Sequence, residues 1–194
     1  MPGLNLDELI LDREQYRAVR AEVRARMLPL RRSRRVQVGD ALALEFENEQ
    51  TLHYQVQEMI YAENITSEAA AGEEIETYRR LLPTAGSVSA TMFLEFADLD
   101  TVRTSLDGLS GIQHLIELQL GSSRIAGVDV PPPDEADDRQ TYSVHFVRFD
   151  LAPAQRADLA NLTVPAQLSV EHPAYRAATE LPAELRAQLV ADLA

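Results

Sequence analysis

The 194-residue sequence contains no cysteine and no lysine, so all 18 of its permanently basic side chains are arginines. Without cysteine, the chain cannot supply a thiolate nucleophile, a redox-active dithiol, or the thiolate ligands of a zinc site or iron–sulfur cluster. Without lysine, it cannot form a Schiff base with pyridoxal phosphate or complete a P-loop. Any proton transfer near neutral pH must therefore come from its four histidines, its carboxylates or its tyrosines.

Long apolar runs are absent as well. No stretch approaches the roughly 20 apolar residues that a membrane-spanning helix needs. The first residues, MPGLNLDELILDREQ, carry carboxylates where a secretory signal has a basic region and an apolar core. Because the lack of cysteine also fits a reducing compartment, we expect a cytoplasmic protein that is not associated with a membrane.

Positive charge is scarce in the chain as a whole but concentrated at its N-terminal end. The net charge is −13, yet residues 1–35 hold nine arginines and five carboxylates, whereas residues 36–194 hold nine arginines and 26 carboxylates. An acidic body repels the phosphates of nucleic acids and of anionic membranes over most of its surface. We therefore do not expect nucleic acid as a partner, although a local arginine cluster could still meet an acidic protein.

The first segment has the spacing of an amphipathic helix. Apolar residues from Leu6 to Met27 recur at near-helical intervals, with arginines on the flanks of the apolar stripe. Proline cannot donate the next helical hydrogen bond, which predicts that the helix ends at Pro29. We expect an N-terminal amphipathic helix within residues 1–30, followed by one domain over residues 31–194.

Helices and strands are interspersed along that domain, and no internal repeat is present. This pattern predicts an α+β fold in a single domain, with a mostly antiparallel or mixed sheet packed against several helices. An acidic, proline-led loop over residues 131–140 lies inside it. The predicted elements are a β-hairpin around Gly39-Asp40 whose second strand has one solvated face, helices over 50–62 and 67–82, strands over 88–96 and 113–121, a short helix over 98–109, a strand over 124–130, a central strand over 141–151, a helix over 153–161, a strand over 165–171, and a closing helix from Pro182.

The first candidate site is the arginine cluster in RRSRR, formed by Arg31, Arg32, Arg34 and Arg35. Guanidinium groups present planar forks of donors that suit carboxylates and phosphates. The cluster could recognise an acidic protein surface or a phosphorylated ligand, or it could pair with carboxylates of its own chain. RNA is disfavoured because no aromatic residues are interleaved for base stacking. A binding role requires that these groups face outward and are not neutralised within the chain.

The second candidate site is EHPAYRA, in which Glu171, His172, Tyr175 and Arg176 lie close together. Such a group could hold a base, an acid and an anion clamp, which makes Glu171, His172 and Tyr175 weak catalytic candidates. The structural alternative is a corner in which the His-Pro step sets the turn and the tyrosine packs. No metal site or cofactor is expected from local spacing. His114 is expected on the apolar face of its strand, hydrogen-bonded in the core.

Several longer segments together resemble a known bacterial family, domain of unknown function 3501. They run in the same order from about Arg34 to the C-terminus: RRVQVGDALALEFEN, VQEMIYAE, TYRRLLP followed by SVSATMFLEF, YSVHFVRFDL, and EHPAYRAATELPAELRAQLVADL. The resemblance brings no established activity and no catalytic residues. Genes of this family tend to lie beside rubrerythrin-like or ferritin-like proteins and iron–sulfur proteins, which implies an accessory role near redox or oxidative-stress chemistry.

Two function hypotheses follow from these observations. The first is a non-catalytic accessory module that binds a protein partner, which by resemblance would be an iron–sulfur or ferritin-like redox protein. The alternative is an enzyme that acts on a small metabolite through histidine and carboxylate chemistry, aided by a metal if dispersed ligands converge. An exposed strand edge near the hairpin would additionally favour a homodimer.

Overall fold

The structure, a computed structural model, describes residues 10–96, 102–130 and 142–193. The acidic loop predicted over residues 131–140 and the first nine residues of the predicted N-terminal helix lie outside these ranges. The helices are α1 (Arg13–Ser33), α2 (Glu49–Ala62), α3 (Glu68–Arg79), α4 (Val102–Gly108), α5 (Pro153–Ala160) and α6 (Ala183–Asp192). The strands are β1 (Arg35–Val38), β2 (Leu42–Phe46), β3 (Ser87–Leu94), β4 (Ile116–Leu120), β5 (Ser123–Ala126), β6 (Val128–Asp129), β7 (Val144–Asp150), β8 (Ala166–His172) and β9 (Tyr175–Glu180).

The strands form two antiparallel sheets, which confirms the α+β prediction. The five-stranded sheet has the order β1-β2-β3-β7-β6, and the four-stranded sheet has the order β5-β4-β8-β9. The predicted hairpin forms between β1 and β2, and β7 lies inside its sheet, paired with both β3 and β6. The edge strand β1 packs beside β9 of the other sheet. The homodimer expected from a free edge here stays a prediction.

One continuous apolar core joins the two sheets. Alternate residues of each strand point to the same face, so Leu44 and Met92 are paired neighbours on the core face of the five-stranded sheet. Leu118 and Leu168 occupy the equivalent positions in the four-stranded sheet. All four side chains are fully buried and belong to one cluster, which also includes apolar residues of α5 and α6. This shared core makes the chain one domain.

Helices cover the second face of the five-stranded sheet. Leu52, Val56 and Ile60 of α2 pack with Tyr78 of α3 and with Phe146 of β7 in a second apolar cluster. The sequence predicted a solvated face for β2, and this prediction is wrong, because all five residues of β2 are buried. The helical layer removes that face from water, and its polar side chains are satisfied by neighbours described below.

Helix α1 differs from its prediction at both ends. It begins after Asp12, whose side chain accepts the backbone N–H of Gln15, while the Gln15 side chain accepts the N–H of Asp12. This is a capping box, and Ile10 and Leu11 are not helical. Pro29 lies inside the helix and does not end it. An interior proline costs about 3 kcal/mol; tertiary contacts of the following turn, described below, stabilise the continuation.

Two further predictions fail near the second sheet. His114 lies in a short 3-10 turn before β4 and is exposed, so it is not on the apolar face of the strand. Strand β9 was not predicted, because its residues alternate between intermediate and full exposure and leave too short an apolar pattern. The single strand predicted over 124–130 is divided at Gly127 into β5 and β6, which belong to different sheets. Residues 98–101 of the predicted short helix lie outside the described ranges. The other predicted helices and strands lie within a few residues of their observed positions. Within the described ranges, no helix combines the length and the apolar character that crossing a bilayer requires.

Candidate functional site

Arg34, in the middle of the predicted arginine cluster, is buried with 1% of its surface exposed. Its guanidinium donates to the backbone oxygens of Phe46 at 2.7 Å and of Glu47 at 3.1 Å, and it forms an ion pair with Asp192 near the end of α6. These contacts connect the end of α1 to β2 and to the last helix. Arg34 therefore cannot belong to an outward-facing patch, and the sequence expectation is wrong for this residue.

The neighbouring arginines meet carboxylates of the same chain. Arg31 binds Glu45, a β2 residue with 3% of its surface exposed. Arg35 lies 3.7 Å from the same carboxylate and 2.7 Å from Glu95. Arg32 is exposed. The structure thus brings Arg31 and Arg35 together on one buried carboxylate, and the expectation of an unneutralised cluster does not hold for them.

The EHPAYRA segment forms the hairpin between β8 and β9. The Nδ1 atom of His172 accepts the N–H of Ala174, and its Nε2 lies 3.2 Å from the carbonyl oxygen of Ser110. Since the first contact requires an unprotonated Nδ1, Nε2 carries the proton and donates to Ser110. His172 is therefore buried with both ring nitrogens in hydrogen bonds, which is a structural role.

The other members of this segment are also engaged. The hydroxyl of Tyr175 donates to the carbonyl oxygen of Val38 at 2.6 Å and accepts the N–H of Ala41 at 3.1 Å. These bonds tie β9 to both sides of the β1–β2 turn. Glu171 is exposed and lies 3.7 Å from Arg176. The three weak catalytic candidates do not converge on a common point, and the corner interpretation accounts for their contacts.

Metal ligands do not converge in the part of the chain that the structure describes. No group of three or more histidine, aspartate or glutamate side chains there has the geometry to hold a metal ion. The metal-assisted form of the enzyme hypothesis therefore gains nothing from these residues.

The contact between α1 and α2 holds a feature that sequence reasoning missed. At its N-terminal end, the side chain of Gln57 accepts the N–H of Leu11 at 2.8 Å and donates to its carbonyl oxygen at 3.0 Å. The next residue of α2, Glu58, contacts the first two turns of α1. It accepts a hydrogen bond from the hydroxyl of Tyr16 at 2.6 Å and two hydrogen bonds from the guanidinium of Arg20 at 2.9 and 2.7 Å. Hydrogen bonding to Arg20 lowers the pKa of Glu58, so this clamp is ionic at neutral pH.

A second clamp lies near the C-terminal end of α1. Arg31 binds Glu45, and its guanidinium carbon lies 5.7 Å from the centre of the Tyr54 ring of α2. Polar contacts therefore fix α1 at two places about three turns apart. Between these places the two helices do not close on each other.

A cleft of about 630 Å³ lies between the two helices and extends past the first clamp to Leu11, and we call it the α1–α2 cleft. Its lining is mostly apolar, with a few polar groups. The lining residues are Leu11, Tyr16, Val23, Arg26, Met27, Leu30, Gln50, His53, Tyr54 and Gln57. The helical spacing of the α1 members was visible in the sequence. The sequence could not show that α2 leaves these apolar residues of α1 partly uncovered, because this depends on the separation of the two helices.

A buried carboxylate lies under α2. The side chain of Glu47 is 7% exposed and accepts hydrogen bonds from the hydroxyls of Thr51 and Thr91. Burial is the main cause that raises its pKa, against the two hydroxyls and Arg31, which lower it. Glu45 is adjacent and adds negative charge. This polar layer between sheet and helix is structural, since no cleft residue contacts Glu47 in the hydrogen bonds described.

The two antiparallel sheets, with a helical layer on one of them, define a single-domain α+β protein. The sequence matches the family described as Protein of unknown function (DUF3501) over residues 4–193, and the chain belongs to that family. The resemblance inferred from the sequence segments is confirmed. No curated protein matches the sequence.

A solved structure shares the fold along its whole length. It is the crystal structure of a novel protein of unknown function from Burkholderia pseudomallei K96243, with a TM-score of 0.89 and 30% sequence identity. The similarity covers 99% of this chain and 100% of that one. The comparisons therefore establish the family and the fold but supply no activity, and the functional argument depends on the residues.

Proposed function

We propose that this protein is an accessory module that binds an acidic surface of a partner protein through helix α1. The observation that supports the proposal is the charge of that helix. Between Arg13 and Ser33 it holds seven arginines and two glutamates, a net charge of +5 on a chain of net charge −13. A local positive surface on an acidic body steers the approach of an acidic partner and orients it.

The arginine face, as we call it, consists of Arg17, Arg24 and Arg32 of α1, which are exposed and lie outside the α1–α2 cleft. Arg17 and Arg24 are seven residues apart and therefore lie on the same side of α1, with Arg32 just over two turns further along. Arg17 pairs with Glu14 at 2.9 Å, but both side chains are more than half exposed, so the pair is weak and exchangeable.

The proposed site is thus displaced from the one that the sequence suggested. Arg34 is internal, and Arg31 and Arg35 are held by Glu45 and Glu95. Only Arg32 of the original four belongs to the arginine face. The partner class rests on the family resemblance alone: an iron–sulfur or ferritin-like redox protein would hold the redox centre that a chain without cysteine cannot bind through thiolates.

An accessory role also agrees with the state of the catalytic candidates. The side-chain hydrogen bonds of His172 and Tyr175 are made to backbone groups of the protein. Glu171 is exposed and lies beside Arg176. An enzyme that used them would have to break the contacts that hold β9 in place. These contacts support the binding module over the small-metabolite enzyme.

A titration with a purified iron–sulfur or ferritin-like redox protein, the partner class that the family resemblance implies, tests the proposal. We expect the triple variant Arg17→Ser, Arg24→Ser, Arg32→Ser to bind about tenfold or more weakly, and wild-type binding to weaken with salt. The control variant Arg124→Ser, Arg148→Ser, Arg176→Ser removes the same number of charges elsewhere. All three of these arginines form ion pairs at the surface, as Arg17 does in the first triple. Equal affinity of the two triple variants would show that the arginine face is not the docking site.

A further inference from the structure

We infer that the α1–α2 cleft is a binding site for a small amphiphilic anion, a molecule with an apolar chain and a single carboxylate or phosphate head. Its volume of about 630 Å³ falls within the roughly 300–1,000 Å³ of pockets that take small organic ligands. Leu11, Val23, Met27 and Leu30 line it together with two tyrosine rings. Such a lining favours an apolar chain over a polar metabolite.

The cleft is a consequence of how α1 is held. The Glu58 clamp and the Arg31–Glu45 clamp use charged groups, and Glu45 is almost fully buried. If α1 moved inward to fill the space, these bonds would be distorted and the buried Glu45 charge would lose its partner, which is strongly destabilising. Met27 is buried by the protein itself, but Leu11, Val23 and Leu30 stay partly exposed, and an apolar chain that entered would cover them.

The head-group chemistry is indicated by two polar residues at the edge of the cleft. Arg26 of α1 and Gln50 of α2 both line it and are both exposed. Within the described ranges neither side chain has a hydrogen bond or an ion pair, in contrast to the side chains of Arg20 and Arg31 on α1. A guanidinium and an amide N–H at the edge of an apolar cleft suit an anionic head whose chain points inward.

This site is separate from the arginine face. Val23, Arg26 and Leu30 recur at intervals of three and four residues along one flank of α1, whereas Arg17 and Arg24 recur along the opposite flank. The inference therefore does not depend on the proposed function. Loss of partner binding and loss of ligand binding can be measured in different variants.

Calorimetric titration of the full chain with dodecanoate, dodecyl phosphate and uncharged dodecanol, below their aggregation concentrations, tests the inference. We expect saturable binding of one molecule of dodecanoate or dodecyl phosphate per chain, with the stronger of the two identifying the head. Dodecanol should bind about tenfold or more weakly, because it cannot form a charge-assisted bond to Arg26. Absence of saturable binding by both anions, or equal binding of dodecanol, would overturn the inference.

Variants locate the binding. Arg26→Gln should weaken dodecanoate about tenfold, whereas Arg24→Gln, on the opposite flank, should leave it within twofold. Val23→Phe should fill the cleft and abolish binding, whereas Leu28→Phe adds the same ring to an exposed position outside the cleft and should not. Far-UV circular dichroism checks that each variant is folded. Binding that survives both Arg26→Gln and Val23→Phe unchanged would place the ligand elsewhere and overturn the inference.

Discussion

Arg32 and Arg34 are separated by one serine and have opposite environments. Arg32 is exposed, and Arg34 is the largest of the fully buried side chains. The difference comes from the change of secondary structure between them. Arg32 is in the last turn of α1, where a basic side chain also favours the C-terminal end of the helix dipole, and Arg34 is the residue at which the chain turns into β1.

Replacement of these two arginines by methionine should therefore give very different results. Arg34→Met leaves the Asp192 carboxylate and the carbonyl oxygens of Phe46 and Glu47 without their donor, and we expect a loss of about 3–5 kcal/mol in the free energy of unfolding. Arg32→Met should change it by no more than about 0.5 kcal/mol. Urea unfolding at neutral pH, followed by far-UV circular dichroism, measures both. Similar losses in the two variants would contradict the burial of Arg34.

Among the secondary-structure elements, the two hairpins depend on each other. The turn between β1 and β2 is built around Gly39, which has a positive φ of 72°. A Cβ atom there would overlap the Tyr175 hydroxyl and would lie 2.8 Å from the Cβ of Ala177. The close approach lets Tyr175 bond to Val38 and Ala41 on either side of the turn. The tyrosine of EHPAYRA thus positions one hairpin on the other.

Two glycine-to-alanine variants test this arrangement, because they should change the free energy of unfolding in opposite directions. Gly39→Ala is strained in its backbone and clashes with β9, and we expect it to destabilise the protein by more than about 1 kcal/mol. Gly72→Ala, in the middle of α3, meets no atom within 4 Å and should stabilise by about 0.5–1 kcal/mol. Thermal and urea unfolding provide the measurement. A neutral Gly39→Ala would mean that the two hairpins do not touch as described.

Helices and strands with a regular apolar pattern could be predicted from the sequence, and those held by polar contacts could not. The positions of α2, α3 and β3 follow from periodicity and from the Ser67 cap. Strand β9 presents only Tyr175 and Ala177 to the core, an apolar pattern too short to predict a strand. Helix α1 continues past Pro29 because Arg31 and Arg34 anchor the turn that follows. The α1–α2 cleft could not be predicted for the same reason, because it depends on partly buried ion pairs between residues that are distant in the sequence.

Taken as one folding unit, the protein has an apolar core between its sheets and a polar layer between the five-stranded sheet and the helices. Glu47 lies in that layer, and burial raises its pKa. The native protein therefore retains the Glu47 proton to a higher pH than the unfolded chain, in which glutamate titrates near about pH 4.3. Glu58, at the α1–α2 clamp, has its pKa lowered by Arg20 and behaves in the opposite way.

These two glutamates should give the global stability opposite dependences on pH. For Glu47, the native state binds more protons between the unfolded and folded pKa values, so its contribution to the free energy of unfolding falls as pH rises through that window. For Glu58, the unfolded state binds more protons, so its contribution is present above the unfolded pKa and is lost as pH falls through the folded pKa. All other carboxylates are the same in a glutamine variant and in the wild type. The difference in stability between the two proteins at each pH therefore reports the contribution of the replaced glutamate alone.

We expect the stability of Glu47→Gln relative to the wild type to increase as pH rises from about 4 to 7, with a gain on the order of 1 kcal/mol at neutral pH, because the amide removes a buried charge. Glu58→Gln should become less stable relative to the wild type over the same range, because it loses an ionic clamp that Arg20 and Tyr16 share. Urea unfolding at several pH values gives both curves. If the relative stabilities of the two variants changed with pH in the same direction, the raised pKa of Glu47 would be contradicted. Only a carboxylate that keeps its proton in the native state makes the stability of its glutamine variant, relative to the wild type, increase with pH.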